Sequence, residues 1–60
     1  MGEKLVRIFE ILTEQTGFRG RLALANKTGI SMTQAAEMND TDVLVKKIEA
    51  AAIDVIDNNS

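Results

Sequence analysis

The chain has 60 residues, 7 Lys and Arg against 9 Asp and Glu for a formal net charge of −2, and no Cys, His, Pro, Trp or Tyr. At this length it forms one domain at most and hides only about 60% of its unfolded surface, with neither disulfides nor Cys/His zinc sites to reinforce it. Without a thiol or an imidazole, catalytic triads built on either are excluded, so the expectation is a protein that is not an enzyme, with no catalytic residues, no metal site and no cofactor.

The longest apolar runs, Leu22 to Ala25 and Ala50 to Ile53, fall far short of the ~20 residues a membrane span needs. Glu3, Lys4 and Arg7 interrupt any signal-peptide core at the N-terminus. A soluble, cytoplasmic protein is expected, with no membrane partner and no small-molecule ligand. No separate effector domain is expected at this length.

Hydrophobic periodicity predicts an all-α fold, a compact bundle of four short helices. In the first, from Glu3 to Gln15, Leu5, Ile8, Phe9 and Leu12 share a face, and Glu3, Arg7, Glu10 and Glu14 lie opposite. Val6 and Ile11 fall off that stripe. Gly17 is placed to cap the helix in a left-handed conformation. A short second helix runs from Arg19 to Thr28 and stops at Gly29. Ser31 with Gln34 three residues on fits the capping-box pattern, so a third helix is predicted from Met32 to Met38. Asn39-Asp40-Thr41 breaks it, and Asp40 or Thr41 caps a fourth helix from Asp42 to Ile56. Residues 57–60 are expected to fray. The fourth helix has a central stripe of Leu44, Ile48, Ala51 and Val55, widened by Val45, Ala52 and Ile56. A helix packing on one neighbour needs a narrower stripe, so a homodimer through the first and fourth helices is expected.

The most informative stretch is residues 21 to 38. A helix-turn-helix joins two steeply crossed helices by a short turn. It needs a small residue where the helices approach, and Ala25 serves. Four positions on, it needs a residue that tolerates positive φ, and Gly29 serves. Ile30 follows to fill the space between the helices, and Ala35 and Met38 face inward from the second of them. On these residues, and above all on Leu24-Ala25-x-x-Thr28-Gly29-Ile30-Ser31, the segment resembles the Cro and phage-repressor family of helix-turn-helix DNA-binding domains. Glu14 to Phe18 resembles the end of that family's first helix, and Thr41 to Ile48 the start of its fourth.

The resemblance implies a small transcription regulator that inserts the third helix into the major groove of duplex DNA. Met32, Thr33, Gln34 and Glu37 would then face base edges, and Arg19, Arg21, Lys27 and Ser31 would face phosphates. Gln34, which can pair bidentately with adenine, is the one base contact this names. There are departures. The family usually opens its second helix with Thr or Ser plus Gln, where this chain has Arg19, Gly20 and Arg21. The inward residue at the middle of the third helix is Ala35 rather than a larger aliphatic, and Glu37 would repel phosphate.

Charge is segregated along the chain. From residue 17 to 36 the only charged residues are Arg19, Arg21 and Lys27, whereas from Glu37 onward Glu37, Asp40, Asp42, Glu49, Asp54 and Asp57 outnumber Lys46 and Lys47. Such segregation permits a basic patch on an acidic protein. The alternative is a protein–protein interaction or dimerisation module that uses the same helical bundle without DNA, as the acidic total and the cation-poor third helix suggest. Under that reading Gly29 is an ordinary helix cap, Arg19 and Arg21 are solvated surface, and Met32 and Met38 are packing residues. No exposed aromatic platform is expected, which argues against single-strand binding by base stacking.

Overall fold

The computed structural model describes residues 1–58, and among them every regular element is a helix: α1 (Glu3–Thr16), α2 (Phe18–Thr28), α3 (Met32–Glu37) and α4 (Asp42–Asn58). Three predicted boundaries shift by one residue, within the ordinary uncertainty of helix ends. The fourth differs more. α4 continues through Asp57 and Asn58, where fraying was expected; residues 59 and 60 lie outside the described residues.

The apolar stripes do what their spacing dictates. Leu5, Phe9 and Leu12 of α1, Leu24 of α2, Ala35 of α3, and Ile48, Ala52 and Val55 of α4 form one buried core. α1 packs against each of the other three helices, and α2 also packs against α4. Phe9, Leu5, Leu12, Leu24 and Ile48 are the largest fully buried side chains, each contributing about 1.5–3 kcal/mol of transfer free energy.

The wide stripe of α4 is used within the chain. Ile48, Ala52 and Val55 are buried, and Leu44, Val45, Ala51 and Ile56 are half-buried against the core. α4 faces two neighbours, α1 and α2, and two neighbours require a broad apolar arc. Val6 and Ile8 also pack against the core, while Ile11 stays 43% exposed. The breadth that suggested a partner subunit is thus consumed by the fold.

The joints set the angles. Gly17 ends α1 and begins α2 with φ 79° and ψ −169°. Its φ is positive, as expected of a cap, but its ψ is extended rather than left-handed helical, so the chain turns straight into the next helix. Thr41 caps α4, its Oγ1 accepting from the Leu44 amide at 3.3 Å. Asp40 does not share that task. Its carboxylate reaches the start of α1, accepting from the Lys4 amide at 3.1 Å and the Leu5 amide at 3.4 Å. The first turn of a helix presents unpaired amides and a positive dipole end, and the carboxylate answers both from a distant part of the sequence.

Candidate nucleic-acid interface

The turn between α2 and α3 is built from two local devices. Gly29 lies at φ 73° and ψ 13°, in the left-handed region, and its amide donates to the Ala25 carbonyl at 2.8 Å, closing the end of α2. Thr28 ties both sides of the turn: its hydroxyl bonds the Leu24 carbonyl at 2.8 Å and accepts from the Ile30 amide at 3.2 Å. Ser31 then opens α3 with a complete capping box. Its Oγ accepts from the Gln34 amide at 3.2 Å, and Gln34 Oε1 accepts from the Ser31 amide at 3.0 Å.

Packing orients α3 about this turn. Ala35 is fully buried, and Ile30, Met32 and Met38 rest half-buried on the core. Thr33, Gln34, Ala36 and Glu37 are exposed. Met32 therefore departs from the outward position expected of it. It lines a groove together with Val6 of α1, Arg21, Leu22 and Ala25 of α2, and Thr33 of α3. Gln34 is outward, but its carboxamide oxygen is occupied. A bidentate adenine contact would share that oxygen with the Ser31 amide or open the capping box.

The three cations expected to contact phosphates do not form one patch. Arg21 folds over the groove, its guanidinium 4.6 Å from the centroid of the Phe18 ring and its Nη1 3.5 Å from Met32 Sδ. Arg19, two residues earlier on the same helix, cannot face the same way; it is exposed at the first turn of α2. Lys27, in the last turn, makes an ion pair with Asp54 of α4. The acidic C-terminal segment thus claims one of the cations expected to stand apart from it. Both partners are about half exposed, at 43% and 51%, and pairs of that kind are worth little.

Sequence reasoning missed Phe18. It is 56% exposed, with Leu22 one turn on at 48%, and this corrects the expectation that no aromatic is presented to solvent. The signal was available in the spacing. Phe18, Arg21 and Leu22 stand at i, i+3 and i+4, which places them on one side of α2 and the cation over the ring. Among the described residues no group of acids is arranged to hold a metal, and no helix is long and apolar enough to cross a membrane. No family model, curated protein or solved structure matches the chain.

Proposed function

We propose that residues 21–38 act as a helix-turn-helix and that the chain is a small DNA-binding regulator presenting α3 to the major groove. The observation that carries this is the backbone of the turn. A left-handed Gly29 bonded back to Ala25, a capped helix starting at Ser31 and a fully buried Ala35 are what the motif requires at those positions. They leave Thr33, Gln34, Ala36 and Glu37 outward, the residues that would meet base edges. Ser31 and Arg21 flank that face as phosphate contacts, and Arg19 stands apart from them at the first turn of α2. Lys27 joins them by exchanging Asp54 for a phosphate, an inexpensive exchange because the pair is solvent-screened.

The test is a titration of isotopically labelled protein with random-sequence duplex at low and moderate salt. The expected result is movement of the Ser31, Thr33, Gln34 and Glu37 amides that weakens as salt rises. An unchanged spectrum at low salt would rule the proposal out.

A second reading rests on a different observation. Arg21 is already engaged with Phe18 and Met32, and Phe18 and Leu22 stand exposed beside an apolar groove. Such a surface suits a protein partner, with an aromatic and an arginine as anchors. Phe18→Ala separates the two readings: protein docking requires the ring, whereas duplex binding survives its loss.

A further inference from the structure

α4 carries a solvent-exposed face. Val43 is 80% exposed and Ile53 60% exposed, and Lys46, Lys47, Ala50, Asp54 and Asp57 are exposed on the same side. On an α-helix all of these fall within an arc of about 60° to either side of Ala50. Charge along this face changes sign at Ala50. Its cations, Lys46 and Lys47, stand toward the N-terminus, and its acids, Asp54 and Asp57, toward the C-terminus. Lys46 and Asp54 are equally far from Ala50 along the chain, as are Lys47 and Ile53, and Val43 and Asp57.

We propose that this face binds a second copy of the chain, with the two α4 helices antiparallel and a two-fold axis beside Ala50. Each Lys46 then meets Asp54 of the partner subunit, and the aliphatic stem of each Lys47 covers Ile53 of the partner subunit. Ala50, the small residue at the centre, lets the two backbones approach. A parallel pairing would set Lys46 and Asp54 against their own copies, an arrangement of like charges that costs free energy, so the charge pattern selects the antiparallel one. Asp54 then sits between Lys27 of its own chain and the incoming Lys46, which adds a second cation to a carboxylate that already has one. A self-complementary interface of this type closes at two subunits. It also supplies apolar burial that a domain of this length is short of. This face is separate from the apolar stripe that the fold uses, and it does not depend on DNA binding.

Sedimentation equilibrium of the full chain, without DNA, into the high micromolar range tests the proposal. A reversible dimer is expected, weakened at least about tenfold by Ala50→Arg. Ala50 is exposed, so helix content by circular dichroism should be retained in that variant. Lys46→Glu should weaken the dimer, and Lys46→Glu combined with Asp54→Lys should restore it on a Lys27→Ala background, which removes the intrachain cation beside residue 54. A monomer throughout the concentration range overturns the proposal. So does a dimer indifferent to Ala50→Arg, and so does a charge exchange that fails to restore association.

Discussion

Gly29 stores its importance in backbone geometry alone. A Cβ added there meets nothing within 4 Å, so a substitution is strained by its φ of 73° and not by any neighbour. Gly29→Val should therefore cost about 1–3 kcal/mol, the penalty of forcing a β-branched residue into the left-handed region. Gly29→Asn should cost clearly less, since Asn tolerates that region. Chemical denaturation of the two variants measures both, and equal costs would mean that something other than φ is responsible. Asp40 acts through its two oxygens. With both accepting from the first turn of α1, Asp40→Ala should lose about 1 kcal/mol, the usual value of such a cap. Asp40→Asn keeps one acceptor and should fall between Ala and the native residue. If Asp40→Ala left stability unchanged, the cap would be making no net contribution. That role was not legible in the sequence, because local patterning pairs an Asp with the helix that follows it. Only the tertiary fold brings residue 40 to the start of a helix 36 positions earlier.

At the scale of elements, the existence and order of the four helices could be read from the period of the apolar residues, and the Ser31 capping box from its spacing. What escaped is how many neighbours each helix has. The breadth of α4 reads equally well as one wide external face or as two internal ones, and periodicity cannot separate these. The corner between α1 and α2 is a second case. Gly20 is buried, and a Cβ there would overlap the Thr16 hydroxyl first and the Thr16 Cβ next. Thr16 is itself fixed by a bond of 2.7 Å from its hydroxyl to the Leu12 carbonyl. Replacing a helical Gly by Ala ordinarily stabilises by roughly 0.5–1 kcal/mol, so the sign of Gly20→Ala reports the closeness of this corner. We expect it to destabilise. On a Thr16→Ala background the penalty should shrink but not vanish, because the Cβ of residue 16 remains in the way. A double-mutant cycle read by thermal denaturation gives the coupling, and additivity of the two changes would mean that the helices are not in contact there.

The whole molecule is acidic, so duplex binding would depend on where its few cations point. Arg19, Arg21 and Lys27 looked like a patch in the linear sequence because acids are absent between residues 17 and 36. Helical geometry spreads them around α2, and α4 brings Asp54 to Lys27, so charge segregation along a chain does not carry over into charge segregation on a surface. The consequence for the DNA reading can be measured. Each phosphate neutralised contributes a slope of about −0.9 in log affinity against log salt. Three cations per subunit would give about −3, and two subunits on one duplex about −5. Arg21→Ala should reduce affinity for all sequences alike and flatten that slope by about one unit per subunit, whereas Gln34→Ala should mainly erode preference among sequences. Asp54→Asn is the more discriminating change. It removes a repulsive carboxylate and frees Lys27, so it should strengthen binding at low salt and leave the slope the same or steeper. If fluorescence anisotropy with labelled duplex shows Asp54→Asn weakening binding while sedimentation shows subunit association unchanged, Lys27 is not a phosphate contact, and the interface must rest on Arg19, Arg21 and the outward residues of α3 alone.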